Sequence, residues 1–343
     1  MLGLELVLIA ALAAPGTDDV PKATVTVDSA HREVIVTAGP FSVKSMPPGM
    51  KHDAMDAMEG HETPILRFEW PNTSWLRGFK VEVEGPDGRP INRRLIHHLI
   101  GVNFDRRQLL YPAVERLFGI GQETEEISVP ASIGVPMKTG AKLGMYMAWQ
   151  NELGRDLEGV TIRVRLAYSP SNLNPRPVDA LPLYMDVNLT VGGTNTFDVP
   201  PGKSEKAHEF TMPISGRILG FSGHMHDYGS SVRLEDVETG KVLASAKTTR
   251  APDGKVLKIS RSLPGVTGDG IRLKAGRKYR VIGTYDNPTS EEVKGVMAHI
   301  SGIFTPDDYA KWPALDLSDE LLQDDLASLD ETGNKAGHEH HNR

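Results

Sequence analysis

The sequence contains no cysteine in 343 residues, and this absence removes several classes of protein. Zinc ribbons, disulfide-stapled scaffolds and thiol-dependent catalysis all require cysteine. Any metal ion bound by this chain must therefore be held by histidine, methionine or carboxylate side chains. A chain of this length can still be stable without disulfides, because it buries a large core.

Concentrated basic charge and several well-known catalytic motifs are also missing. The 38 Lys and Arg residues are outnumbered by 45 Asp and Glu residues, and the formal net charge is -7. Nucleic-acid binding needs clustered positive charge to neutralise phosphates, so no nucleic-acid partner is expected. The sequence has no Gly-x-Ser-x-Gly elbow, no His-Glu-x-x-His pair and no phosphate-binding loop, which argues against the corresponding enzymes.

What the sequence does contain is a succession of short segments in which apolar and polar residues alternate. These segments include 23–27 (ATVTV), 33–37 (EVIVT), 79–84 (FKVEVE), 160–166 (VTIRVRL) and 181–191 (LPLYMDVNLTV). Turn-forming sequences separate them, a pattern typical of antiparallel β-sandwiches. The length favours two domains. We therefore predict an all-β chain with two antiparallel, jelly-roll-like β-sandwich domains in tandem.

The domain boundary is predicted in the turn-rich segment Ser169–Asp179. The N-terminal domain then covers residues 21–178 and the C-terminal domain covers residues 179–306. One helix is predicted within the first domain, at 106–118 (RRQLLYPAVERLF), although Pro112 must lie in its first turn or kink it.

Both ends of the chain differ from the middle. Residues 2–14 are almost wholly apolar, which predicts a signal peptide within residues 1–20 and export to the periplasm or the extracellular space. Because this stretch carries Glu5 and no Lys or Arg, a mis-assigned start or a buried strand stays open. It is too short to span a bilayer comfortably, so no membrane span is expected in the mature chain. The tail, 307–343, is predicted to contain an acidic amphipathic helix before its histidine-rich end, His338–His341.

Two pairs of histidines are the first candidate metal ligands. His97 and His98 are adjacent in an apolar run, and adjacent residues of a flat strand point to opposite faces. Both can reach one ion only at a bulge or a twisted strand end, and one core plus one surface histidine is the alternative. His224 and His226 are two residues apart, so a strand places both imidazoles on one face. Asp227 could orient one of these rings.

A third candidate segment contains Met297 and His299, which also share one strand face. A strand methionine is most often part of a core. Its combination with His224 and His226, however, supplies two nitrogens and one thioether, a set that favours copper over zinc or magnesium.

This ordered set of residues resembles the copper type II, ascorbate-dependent monooxygenases. The resemblance covers most of residues 25–305 and includes the turn Val199-Pro200-Pro201-Gly202 before the His-x-His strand. It implies two β-sandwich domains facing a cleft. It also implies one or two copper ions, O2 as co-substrate and ascorbate or another one-electron donor. The implied reaction is hydroxylation of a C–H bond in a small organic or peptide substrate.

By the same resemblance, the oxygen-activating copper is bound by His224, His226 and Met297. The electron-transfer copper is assigned to His97 and His98. A third histidine of that site is missing here, since the corresponding segment Met145–Asn151 contains none. Gln150 and Met147 are the candidates to replace it. Nothing around the second copper resembles an arginine-tyrosine clamp for a peptide carboxylate, so peptide amidation is not implied.

Two further hypotheses stay open beside a monooxygenase. A copper-binding or copper-handling protein without catalysis is suggested by the missing third histidine and by a methionine-rich segment, Met46–Met58, which also contains His52. That segment could equally be a packing loop. A metal-free β-sandwich binding module with core histidines is the remaining alternative. The substrate, the physiological reductant and the oligomeric state are not specified by the sequence.

Overall fold

The computed structural model describes residues 21–46, 63–124, 126–191, 193 and 195–335. The predicted signal peptide, most of the methionine-rich segment and the His338–His341 tail lie outside the described residues. Of the Met46–Met58 segment only Met46 is described, and its side chain is buried.

Short alternating segments form strands, as the sequence predicts. The N-terminal part contains β1 (Lys22–Asp28), β2 (Glu33–Val43), β3 (Leu66–Glu69), β4 (Ser74–Glu84), β5 (Pro90–Ile91), β6 (Ile96–Arg107), β7 (Val114–Gly121), β8 (Ile127–Ser128), β9 (Ile133–Met137), β10 (Lys142–Trp149), β11 (Leu157–Pro170) and β12 (Val178–Asp179). A 3-10 turn at Arg93–Leu95 precedes β6. Four of the five predicted segments lie inside β1, β2, β4 and β11, which confirms the interpretation of their alternation.

The C-terminal part is built in the same way. It contains β13 (Leu181–Asp186), β14 (Phe197–Val199), β15 (Gly202–Thr211), β16 (Gly216–Met225), β17 (Gly229–Asp236), β18 (Lys241–Arg250), β19 (Val256–Ile259), β20 (Ile271–Leu273), β21 (Lys278–Asn287), β22 (Val293–Val296) and β23 (Ala298–Pro306). The fifth predicted segment, 181–191, is a strand only as far as Asp186. Two helices, α1 (Pro264–Thr267) and α2 (Glu320–Lys335), and a 3-10 turn at Tyr309–Lys311 complete the described elements.

The N-terminal strands form two sheets that enclose one apolar core. The larger sheet has the order β1-β2-β11-β4-β9-β12, with β5 and β8 also paired to β4, and the smaller has the order β3-β10-β6-β7. All of these pairs are antiparallel except β9 with β12. Side chains from both sheets, such as Val36 and Val164 on one and Leu99 and Met145 on the other, belong to the same buried cluster. This arrangement is a β-sandwich.

The C-terminal strands enclose a second core. Their sheets have the orders β13-β23-β16-β20, β14-β22 and β15-β21-β17-β18-β19. Core membership changes within β13, since Leu181 belongs to the first cluster and Leu183 to the second. The chain is therefore all-β, with sandwiches of antiparallel sheets. The exact domain limits, 21–178 and 179–306, stay a prediction.

The helix predicted at 106–118 is wrong. Residues up to Arg107 continue β6, residues from Val114 begin β7, and a turn containing Pro112 joins them. The apolar residues of this run are buried for a different reason: β7 is covered on both faces, and Leu109 reaches into the second core. A run that is buried on both faces has no strand-like alternation, so periodicity alone does not distinguish it from a helix.

The acidic amphipathic helix predicted in the tail is confirmed as α2. Its Leu322 and Leu329 are buried against Val102 and Val114 of the smaller N-terminal sheet, and its acidic side chains face mainly outward. Within the described part of the chain, no helix has both the length and the hydropathy needed to cross a bilayer.

Candidate metal centre

A β-bulge in β6 brings the two adjacent histidines together. In the pairing of β6 with β10, His98 lies opposite Ala148 and Ile96 lies opposite Trp149, so His97 is the extra residue between them. An extra residue on one strand re-aims its side chain. The ring centroids of His97 and His98 are 4.1 Å apart. The structure therefore contains the bulge that two adjacent ligands require.

His224 lies at the end of β16, and His226 is the first residue after this strand. His224 pairs across the sheet with His299, and the backbone N–H of His226 donates to the carbonyl of Met297 at 3.2 Å. Both imidazoles are buried, with 7% and 8% of the residue exposed. Met225, between them, is buried in the second core, as strand alternation dictates.

The two histidine pairs meet in one place. His98 Nε2 lies 2.9 Å from His224 Nε2, and one ligand atom each from His97, His98 and His226 lie within 4.8 Å of one another. We call His97, His98, His224 and His226 the histidine cluster. The pairs that the resemblance assigns to two copper ions are thus direct neighbours, contributed by the two parts of the chain.

His226 is the histidine of the cluster whose ring nitrogens are buried without hydrogen bonds to described residues. Its Nδ1 and Nε2 atoms are both buried, and neither has a hydrogen-bond partner among the described residues. A neutral imidazole offers one donor and one acceptor, and a buried polar atom without a partner costs about 1–3 kcal/mol. A metal ion coordinated by one nitrogen would remove half of this deficit.

Glu123 determines which nitrogen of His224 carries its proton. Glu123 Oε1 lies 2.6 Å from His224 Nδ1, and both side chains are buried. Burial raises the pKa of Glu123, but the facing imidazole outweighs it, so this pKa lies below its ordinary value. The ionised carboxylate accepts the Nδ1 proton and leaves the lone pair on Nε2, the arrangement common among metal-bound histidines.

Gln150 has the same role for His97. Its Oε1 lies 3.0 Å from His97 Nδ1 and also accepts a hydrogen bond from Gln122 Nε2 at 2.9 Å. His97 therefore carries its proton on Nδ1 and presents the lone pair of Nε2. Of the two candidates to replace a third histidine, Gln150 contacts a histidine of the cluster, whereas Met147 is fully buried in the first core.

The pKa values of two of the four clustered histidines, His98 and His226, favour the neutral form. Burial, together with the neighbouring imidazoles, holds the pKa values of His98 and His226 well below the ordinary value for histidine, and His299 behaves in the same way. His98 and His226 are therefore neutral at neutral pH. Neutral imidazole is the form that binds metals.

Three other residues from the sequence analysis lie at the edge of the cluster. The ring of His299 is 5.2 Å from that of His224, and its Nδ1 lies 3.4 Å from the hydroxyl of Tyr184. The Met297 carbonyl accepts from the His226 N–H and from the Tyr285 hydroxyl. Asp227 accepts from the Val256 N–H at 2.8 Å. The carboxylate of Glu123, which no sequence motif indicates, contacts the His224 ring.

The space beside the cluster is small. A cavity of about 30 Å³ adjoins it. Its lining consists of His97, Gln122, Glu123, Gln150, His224, Met225, His226, Asp227, Lys255 and Val256. About 10–15 Å³ suffices for one water molecule, so the cavity has room for an ion with a water molecule.

The donor set suits a borderline or soft metal. Imidazoles bind zinc, copper, iron and nickel, and copper is bound most strongly among the divalent ions of this series. The 2.9 Å between His98 Nε2 and His224 Nε2 is a hydrogen-bond distance, so one of these two nitrogens donates a proton that an incoming ion would have to displace.

Replacing Glu123 with alanine is expected to weaken metal binding by about 10- to 100-fold, the usual effect of losing a carboxylate behind a ligating histidine. Gly121 creates the space for this carboxylate, since a Cβ there would lie within hard contact of Glu123 Oε2. Copper affinity measured by competition with a chromophoric chelator checks the prediction. Glu126→Ala, in the same loop, is the control, and equal affinities of the two variants would contradict the role of Glu123.

Comparisons with known proteins give no assignment. The chain matches no protein-family profile and no curated protein sequence. One solved structure that aligns with this chain is the major capsid protein P2 from bacteriophage PM2. The identity is 9%, the alignment covers 80% of this chain and 98% of that chain, and the TM-score is 0.34. The STIV major capsid protein has 9% identity, coverage of 82% and 99%, and a TM-score of 0.37. PNGase F, a glycosylasparaginase from Flavobacterium meningosepticum, has 8% identity, coverage of 78% and 95%, and a TM-score of 0.34. Similarities of this size carry no inference about function.

Proposed function

We propose that this protein is a copper-dependent oxidoreductase of the monooxygenase type, which hydroxylates a C–H bond of a small organic or peptide substrate with O2 and a one-electron donor such as ascorbate. The observation that carries the proposal is the buried His226 ring, whose two nitrogens have no hydrogen-bond partner among the described residues and which lies in a cluster of four imidazoles. We also propose, from the apolar segment 2–14, that the chain is exported to the periplasm or the extracellular space.

The residues in and around the cluster would have distinct roles in binding the ion. His97, His98, His224 and His226 would hold the ion, with Nε2 as the ligand atom of His97 and His224. Glu123 and Gln150 accept the Nδ1 protons of these two rings and so keep both lone pairs available. A bound copper ion would supply one-electron redox chemistry and affinity for dioxygen. The resemblance adds the Met297 thioether as a ligand that would stabilise the reduced ion.

Copper binding without catalysis is the second candidate, and the small cavity favours it. A space of about 30 Å³ accommodates an ion with a water molecule but no organic substrate unless neighbouring residues move. The close contact of the two histidine pairs also leaves no separate donor centre within the cluster.

The test measures copper content and oxygen consumption on a chain that ends before His338, because a histidine-rich tail binds metals by itself. One copper ion per chain and ascorbate-dependent oxygen uptake, absent from zinc-loaded protein, would support the oxidoreductase. Stoichiometric copper without oxygen uptake above that of free copper would favour the binding protein. Absence of bound copper would refute both candidates.

A further inference from the structure

An ion pair at the mouth of the cavity connects the two parts of the chain. Lys255 Nζ, just before β19, lies 3.1 Å from Glu152 Oε1 and 3.4 Å from its Oε2, and Glu152 follows β10. The side chains are 26% and 41% exposed. Ion pairs with this exposure add little to stability, typically below about 1 kcal/mol. The significance of this pair therefore depends on what it contacts.

Hydrogen bonds connect Glu152 to the histidine cluster. Its Oε1 also accepts a hydrogen bond from Gln150 Nε2 at 2.7 Å. At the other end of the same amide, Gln150 Oε1 accepts from His97 Nδ1 and from Gln122 Nε2. A continuous chain of hydrogen bonds thus runs from Lys255 through Glu152 and Gln150 to His97.

The orientation of the Gln150 amide, that is, which of its two ends faces His97, determines the tautomer of His97. An amide has one donor end and one acceptor end, and the carboxylate of Glu152 can only accept. Glu152 therefore holds the NH2 group, which places Oε1 at His97 and the imidazole proton on Nδ1. If the amide turned over, its NH2 group would face Nδ1, the proton would move to Nε2, and that nitrogen could no longer bind an ion.

We propose that Glu152 and Lys255 are positioning residues of the metal centre, which act through Gln150 to keep the Nε2 lone pair of His97 available. The proposal rests on the proposed copper site for its functional meaning, whereas the tautomer itself is a property of the metal-free chain. Lys255 belongs to the C-terminal part of the chain and pairs with Glu152 of the N-terminal part. The junction between the two parts therefore contributes to the tautomer of His97.

The test is the ring-nitrogen NMR spectrum of histidine-labelled, metal-free protein, with the His97 signals assigned by a His97→Gln variant. The original chain is expected to show a protonated Nδ1 on His97. Glu152→Gln, which can donate as well as accept, is expected to shift His97 towards the Nε2-protonated form, and Lys255→Met to shift it in the same direction. Lys255→Arg should restore the original spectrum. Lys294→Met, which removes an exposed ion pair with Asp198, is the matched control.

Copper binding gives the second measurement. Glu152→Gln is expected to lower copper affinity by about 10-fold and to change the Cu(II) electron paramagnetic resonance spectrum, whereas the Lys294 control leaves both unchanged. An unchanged His97 tautomer in both Glu152→Gln and Lys255→Met would overturn the proposal, even if the protein binds copper. A protein that binds no copper but shows the expected tautomer changes would refute the proposed function and leave the positioning role intact.

Discussion

Replacing His97 and His98 together with alanine is expected to remove all bound copper, and replacing His224 and His226 together is expected to do the same. The reason is geometric: the two pairs form one cluster, with His98 Nε2 and His224 Nε2 2.9 Å apart. Loss of one supporting partner alone typically costs about 10- to 100-fold in metal affinity, so the loss of two ligands is expected to exceed 100-fold. Elemental analysis on a chain ending before His338 measures the result.

If the two histidine pairs bound copper at two independent sites, a different result would be expected. They would give two ions per chain in the original protein and one in each double variant. A double variant without His31 and His208 removes the same number of imidazoles outside the cluster and is expected to keep its copper. A remaining ion in either cluster variant would contradict a single shared centre and favour two separate sites.

Replacing Asp325 with asparagine is expected to detach α2 from the N-terminal sheet. Asp325 is buried, accepts two hydrogen bonds from the Arg116 guanidinium at 2.6 and 2.7 Å, and accepts one from the Val114 N–H at 2.9 Å. Burial lowers the pKa of Arg116, but Asp325 outweighs this and raises it above the ordinary value. In the variant this guanidinium stays charged at a partly buried position without a carboxylate partner, although it still donates to the Val114 carbonyl. Breaking a buried ion pair in this way costs about 3–5 kcal/mol.

The same helix offers a matched control. Asp330 pairs with Arg67 at 2.7 Å, but both side chains are largely exposed. Asp330→Asn is therefore expected to cost less than about 1 kcal/mol. Thermal unfolding and hydrogen exchange of the α2 amides distinguish the two variants. Equal effects of Asp325→Asn and Asp330→Asn would show that burial of the Arg116 pair does not hold the helix.

Local pattern predicted the elements well where one face of a strand is buried and the other is exposed. The segments at 23–27 and 160–166 alternate, and both lie within strands. The leucines of α2 follow helical spacing because only one face of that helix meets the sheet. The pattern failed at 106–118, where strand and turn residues are buried from both sides and the turn reaches the other core.

The candidate ligands could be predicted because histidine is a strong metal ligand and because a strand puts alternate residues on one face. The supporting residues could not be predicted in the same way. Glu123 and Gln150 are ordinary polar residues in sequence, 101 positions from His224 and 53 from His97 respectively. Their importance comes from contacts made only after the chain has folded.

By itself, the sequence determined the all-β character, the amphipathic terminal helix and the two histidine pairs, because hydrophobic periodicity and ligand chemistry are local properties. Tertiary structure alone decided that the two pairs form one cluster. A bulge in β6 turns His97 towards His98, and the packing of the two parts brings both rings against His224 and His226. Such contacts between residues more than 100 positions apart depend on how the sheets pack, which no local pattern encodes.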